Sequence, residues 1–367
     1  MTVRSIAILG AGNGGCAAAA DLGVRGYEVR LFNRGDERIA PIRERGGIAY
    51  EGALGEGFTP IPVVTTDAGE AMSNADLVVM MVPTQAHASI VAITAPHLQQ
   101  EQVLMAAPGH TVLLIPGLLR QHGIARPIVC ETGSLPYICR MSGPHTVRIT
   151  KRSDYQAFAA FPARETERLA VLVKPAFPMI VPVANVLETV FPYTNAVHHP
   201  PAILMNAGRV EATAGDYYHY YDGISPSVGR VIDALDAERL AVAKALGARA
   251  TPLPLHFFRM GYTTEAARDS GLAYEVFHQS EPDRWIRAPS SLEHRFLDED
   301  VPYGLVPLAE LGRLAGVPTP HMDNMIHLAS VVRDRDYRTD GLTLGRMGLA
   351  NTPPDAVQSL LCKGYPL

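Results

Sequence analysis

The chain has 367 residues, 47% of them hydrophobic and 19% charged, and a net charge of -5. This is an ordinary globular composition with length enough for two domains, and the acidic balance offers no electrostatic case for nucleic acid. No stretch reaches the roughly 18 apolar residues of a membrane helix. The apolar run at residues 6–9 breaks at glycine too soon for a secretory leader, and the four cysteines have neither disulfide nor metal spacing, so free thiols in the cytoplasm are expected.

The first half alternates. "SIAILGAG" reads as a buried strand and "GGCAAAADLGVRG" as a helix ending at glycine. "EVRLFNR" is a second strand, "DERIAPIRERGG" a helix, "IPVVTTD" a strand, "AGEAMSNA" a short helix and "DLVVMMVP" a deeply buried strand. "QAHASIVAITAPHL", "QVLMAAPG", "TVLLIPGLLRQHG" and "RPIVCETG" continue as helix, strand, helix and strand. This alternation of apolar strands and helices predicts an α/β domain built on a doubly wound, mainly parallel sheet. "TVRITKRSDYQAFAAFP" and "MIVPVANVLETVF" are expected to add strands that close it.

Beyond residue 186 long helical patterns take over, among them "SVGRVIDALDAERLAVAKALG", "LVPLAELGRLAG" and "HMDNMIHLASVVRD". The expected organisation is a Rossmann-type domain over residues 1–186 and a mainly α-helical domain over 187–367.

Four glycines in six positions follow the first strand. Gly10, Gly12 and Gly15 fit G-x-G-x-x-G where a strand turns into a helix. Gly10 makes the tight turn, Gly12 lets a pyrophosphate approach the backbone, and Gly15 lets helix and strand pack closely. Asn13 and Gly14 lie in the same turn, and the helix N-terminus presents N–H groups to the phosphates. At the end of the second strand an acid would bind the ribose 2'-hydroxyl of NAD. Asn33 and Arg34 stand there instead, which favours NADP over NAD because an arginine can pair with a 2'-phosphate.

In the second half, residues 195–211 carry His198 and His199 before a proline pair, which is read as a helix start. Residues 293–312 carry Arg295 and Asp300 in a polar loop leading into a helix. A histidine titrates near neutrality and suits proton transfer beside a hydride path. A carboxylate can orient it, and an arginine can clamp a substrate carboxylate. The same residues could equally be a surface histidine pair and a solvated acidic run. A zinc site lacks a third ligand at helical or hairpin spacing, so no metal is expected.

The chain resembles the octopine/nopaline (opine) dehydrogenase family along nearly its whole length. The resemblance is carried by "GAGNGG", "NAVHHPP", "YYDGISPSVG", "DAERLAVAKALG", "EDVPYGLVPLAELG" and "VPTP". It implies reductive condensation of an amino acid with an α-keto acid, using NAD(P)H, to give a secondary amine dicarboxylate. It matches the family histidine that precedes a proline to His199 rather than His198, and the family Arg and Asp to Arg295 and Asp300. "ETGSLPYICR" resembles a segment lining the substrate cleft, which makes Thr132 and Cys139 substrate-binding candidates. Tyr217, Tyr218, Tyr220 and Tyr221 either line the amino-acid pocket or pack a helix. Two other readings stay open: a two-domain hydroxy- or keto-acid reductase without amine condensation, and a non-catalytic dinucleotide-binding sensor. The expected partners are small molecules and a second copy of the chain, not nucleic acid or membrane.

Overall fold

A computed structural model describes residues 2–99 and 102–366. The first strand, β1 (Ser5–Leu9), is wholly buried and lies between two parallel neighbours, β2 (Glu28–Phe32) and β6 (Leu77–Met80). Among the described residues the main sheet has eight strands in the order β12-β11-β8-β7-β6-β1-β2-β5. Its other members are β5 (Val63–Thr65), β7 (Val103–Ala106), β8 (Val129–Thr132), β11 (Gln156–Phe161) and β12 (Ile180–Pro182). All its pairings are parallel except β11 against β8. The strand order reverses at β1, the position that places dinucleotide sites at the strands' carboxyl ends.

A second sheet was not expected from the sequence. β3 (Gly47–Gly52), β4 (Gly57–Pro60), β9 (Tyr137–Met141) and β10 (Thr146–Arg152) form it in the order β4-β3-β10-β9. It explains the alanine run in α1 (Asn13–Val24). Cys16, Ala17, Ala18, Ala19, Ala20 and Leu22 share one core cluster with Ile6 and Ile8 of β1 and with Tyr137, Cys139, Val147 and Ile149 of the second sheet. A helix packed on both sides must be apolar all round, and small side chains keep both sheets close.

One expected strand is partly helix. Residues 179–191 form the short β12, then a turn and a helical segment, Leu187–Val190. The Asn185 side chain accepts from Leu187 N at 3.0 Å and Glu188 from Ala184 N at 3.0 Å, so two side chains satisfy the helix start. An apolar run alone does not distinguish the two states.

The chain divides into two compact units. The first comprises residues up to His110, Leu114–Thr189 and the residues from Leu360 on; the second comprises Thr111–Leu113 and Val190–Ser359. From the sequence the C-terminal residues are expected wholly in the second domain. They join the first because Tyr365 packs edge-on against Phe161 at 5.1 Å and Arg164 donates to Lys363 O at 2.8 Å. The second unit is helical, with its longest helix at Pro226–Ala245, capped by Ser225. Among the described residues no helix is long and apolar enough to cross a membrane.

Candidate active site

In the first unit the glycine turn has the shape of a phosphate cradle. Gly10 has φ +115°, and a Cβ there would lie 2.7 Å from Met81 O. A Cβ on Gly15 would lie 1.7 Å from Gly10 O, so this position tolerates no side chain at all. A Cβ on Gly12 would meet nothing within 4 Å. Gly10 and Gly15 are thus demanded by the protein's own packing, whereas Gly12 faces open space. α1 begins here with no acid in its first turn, so nothing opposes an anion at its N–H groups. These residues fit a dinucleotide.

The surrounding candidates are distributed as follows. Asn13 Oδ1 accepts from Met141 N at 2.9 Å and ties α1 to β9. Asn33 Oδ1 accepts from Ala11 N at 3.3 Å and its amide donates to Gly35 O, so it braces the turn from the end of β2. Arg34 is exposed and donates to Ser89 Oγ at 3.0 Å. The nearest acid in sequence, Asp36, is held by Arg43 at 2.7 Å. Gly14 packs against the Leu135 side chain. Thr132 and Cys139 are both buried in this unit: Thr132 Oγ1 donates to Ser134 O at 2.9 Å, and Cys139 lies in the core cluster beside α1.

Next to Thr132 stands Glu131, which no sequence motif marks. Its carboxyl is buried beside Gly109 at the carboxyl end of β8 and accepts from Thr189 Oγ1. Burial pushes its pKa up to about 8, against the hydrogen bonds from Thr189 and the His110 backbone.

The second unit brings His199 and Asp300 together. His199 sits in the helix Asn195–Leu204, buried along its whole run from Ala196. The helix begins before the histidines, not at the proline pair: Pro200 and Pro201 lie inside it and remove two backbone donors. Packing on every side compensates. Asp300 opens a π-helical turn, Val301–Leu305, in which Leu305 N donates to Asp300 O at 2.9 Å. Gly304 lets this turn press on the helix, since a Cβ there would lie 2.7 Å from Ala196 Cβ.

His199 Nδ1 lies 2.6 Å from Asp300 Oδ2, and its Nε2 lies 2.7 Å from the Tyr220 hydroxyl. Tyr193 donates to the other Asp300 oxygen. The His199 ring stacks on Phe296 at 3.8 Å. Burial raises the Asp300 pKa to about 6, opposed by Arg295 and by the Tyr193 hydrogen bond. Above that value Asp300 is a carboxylate that can only accept, so the His199 proton sits on Nδ1 and Nε2 becomes the acceptor.

His198 differs from its neighbour. It is buried between Phe257 and Phe277, and Nδ1 has no hydrogen-bond partner among the described residues. Burial, with the adjacent His199, holds its pKa well below the usual histidine range, so it behaves as a neutral aromatic. His219 is likewise buried and held neutral. Arg295 is exposed, with Nε 3.0 Å from the buried Glu299. Tyr193 carries no signal in the sequence, because it stands 107 residues from Asp300. Among the described residues no group of three or more His, Cys, Asp or Glu could hold a metal ion.

A family model described as NAD/NADP octopine/nopaline dehydrogenase, alpha-helical domain, matches residues 182–333, and one for the N-terminus of NAD-dependent glycerol-3-phosphate dehydrogenase matches residues 5–145. The chain is 35% identical over 358 residues to an opine dehydrogenase of Arthrobacter sp. (strain 1C), covering 97% of this chain and 98% of that one. Its fold matches an octopine dehydrogenase solved with NADH and agmatine at a TM-score of 0.78 and 18% identity, over 99% of each chain. It matches a yersinopine dehydrogenase solved with NADP+ at 0.74 and 15% identity, over 99% of this chain and 98% of that one.

Proposed function

The chain belongs to the opine dehydrogenase family, and on that premise we propose that it reductively joins an amino acid's amino group to an α-keto acid such as pyruvate. The product is a secondary amine dicarboxylate. The observation that carries this reading is the 2.6 Å pair of His199 and Asp300, a buried acid–base couple in a helical unit of this family. When bound, the nicotinamide supplies the hydride that reduces the imine carbon. Gly10, Gly12, Asn13, Gly14 and Gly15 hold the dinucleotide pyrophosphate, and Asn33 braces the turn. His199 handles the proton, with Asp300 fixing its tautomer and stabilising the imidazolium. Arg295, whose charge Glu299 balances, holds the keto-acid carboxylate.

We take NADP as the preferred cofactor. The absence of an acid at the end of β2 and the exposed Arg34 beside Ser89 support this. Arg34→Ala should narrow the NADPH over NADH preference by about 1–3 kcal/mol, as read by fluorescence titration. The reading includes a homodimer in the cytoplasm. The exposed Leu328, Val331 and Val332 on the helix Pro320–Arg333 support a second copy, and light scattering tests it.

The deciding experiment is NADPH oxidation across a matrix of amino acids and keto acids. Turnover that requires one of each is expected. Turnover with keto acid alone makes the chain a hydroxy- or keto-acid reductase, and tight NADPH binding without any turnover makes it a sensor.

A further inference from the structure

We propose that Tyr220 is a further catalytic residue: its phenolic oxygen exchanges the proton with the substrate, and His199 and Asp300 act behind it as a relay. This rests on the reductive-condensation reading above.

Both nitrogens of His199 are engaged, Nδ1 by Asp300 at 2.6 Å and Nε2 by Tyr220 at 2.7 Å. With the proton on Nδ1, Nε2 accepts, so the Tyr220 O–H donates to it and the phenolic oxygen keeps lone pairs for a second partner. The imidazole is poorly placed to swing past the tyrosine. It stacks on Phe296 at 26°, meets His198 edge-on at 4.4 Å and is tied to Asp300. Tyr220 is equally fixed, its ring lying parallel to Phe277 within 7°. Tyr220, like His199 and Asp300, is buried, and its sequence neighbours Tyr218 and Tyr221 are part-exposed. The other ionisable neighbours are His198 and His219, both held neutral by burial, His294 edge-on to Phe296 at 4.4 Å, and the Arg295–Glu299 pair. Tyr220 is the hydrogen-bond partner that the structure sets on Nε2.

The step balances within the condensation itself. The substrate ammonium gives a proton to the Tyr220 oxygen while the Tyr220 proton passes to His199 Nε2. The freed amine lone pair forms the C–N bond, and the ketone π pair moves onto oxygen, which takes a second N–H proton to give a carbinolamine. His199 then returns its proton through Tyr220 to the carbinolamine hydroxyl. The C–O bond breaks, its electron pair leaves with water, and the nitrogen lone pair closes the iminium. One ammonium and one ketone become one iminium and one water, and the relay is restored.

The test uses the substrate pair found active with the full-length protein. Tyr220→Phe should lower kcat by about 10²-fold or more, the scale of general acid–base catalysis, with KM values and NADPH affinity within about three-fold of wild type. Incorporating 3,5-difluorotyrosine at position 220 keeps the hydroxyl but acidifies it. It should retain turnover and shift the kcat–pH profile to lower pH, a change that a tyrosine serving only to fill space would not cause. A Tyr220→Phe enzyme with kcat within about three-fold of wild type, or an unmoved pH profile in the fluorinated enzyme, overturns the proposal. If Tyr220→Phe fails to fold, the fluorinated enzyme decides alone. A wild type that turns over without the amino acid instead overturns the reading beneath it.

Discussion

At His199 and His198, adjacent side chains of one residue type have opposite chemistry because their surroundings differ. His199→Ala should reduce kcat by about 10²–10⁴-fold with NADPH binding intact. His198→Phe should stay within a few-fold of wild type, since that ring is already a neutral member of an aromatic cluster. Steady-state kinetics of the two variants check this, and equal losses would assign the proton to neither ring specifically. Asp300 adds a pH signature. Below about pH 6 it is protonated, and a neutral carboxyl stabilises an imidazolium poorly. Thus kcat/KM should rise with pH through about 6. Asp300→Asn should remove that limb and lower the plateau; an identical limb in the variant would assign it to another group. Glu131 makes a stability prediction of opposite sense to the usual carboxylate. Its pKa rises from 4.5 to about 8 on folding. Between those values the folded protein holds a proton that the unfolded chain has released, so stability falls as pH rises, by at most about 1.4 kcal/mol per pH unit. Glu131→Gln should therefore gain on wild type in urea midpoint between pH 5 and pH 8. Parallel pH profiles would show that the carboxyl is not protonated in the folded state.

Among the elements, the turn into α1 separates two glycines that look alike in sequence. Gly12→Val points into open space and should leave the fold intact while abolishing NADPH binding. Gly15→Val would drive a side chain into Gly10 O and should unfold the first unit. Circular dichroism beside NADPH titration distinguishes the two, and a folded, binding-competent Gly12→Val would remove the phosphate role. The helix Pro226–Ala245 carries a second family motif whose work is structural. Arg239 is fully buried, bonds Asp236 twice and reaches Phe191 O at 2.6 Å and Thr251 O at 2.7 Å. Asp236 in turn accepts from Leu253 N, while Glu238 accepts from the backbone N–H groups of His321 and Met322. Removing one partner of such a buried pair strands the other charge, so Arg239→Ala should cost about 3–5 kcal/mol. Urea denaturation followed by circular dichroism should show the loss.

Over the whole molecule, burial should sort the four thiols. Cys16, Cys130 and Cys139 are buried and Cys362 is exposed. Burial, against the pull of Arg38, pushes the Cys16 thiol up to about 12, which leaves almost no thiolate to react. Ellman's reagent should therefore titrate the Cys362 thiol quickly in the native protein and the other three only in denaturant; a fast reaction surviving Cys362→Ser would contradict the packing. The sequence by itself determined what depends on neighbours along the chain. The apolar strand, the glycine turn and the alanine helix lie within about twenty residues, so the β1–turn–α1 unit was legible, as was the change from strand–helix alternation to helices. The second sheet was not. Its β3 and β4 are short and glycine-containing, and β3 pairs with β10, about a hundred residues away, so no local pattern marks them. The candidate site divides in the same way. "NAVHHPP" and "EDVPYG" mark His199 and Asp300 separately. Only the packing of a π-helical turn against a proline-bearing helix puts 101 residues of separation into one 2.6 Å contact. Tertiary structure also decided the partners on either side, Tyr193 and Tyr220, and the burial that makes Asp300 and Glu131 weak acids. Burial and long-range contact are properties of the folded surroundings, and a residue's own stretch of chain does not specify them.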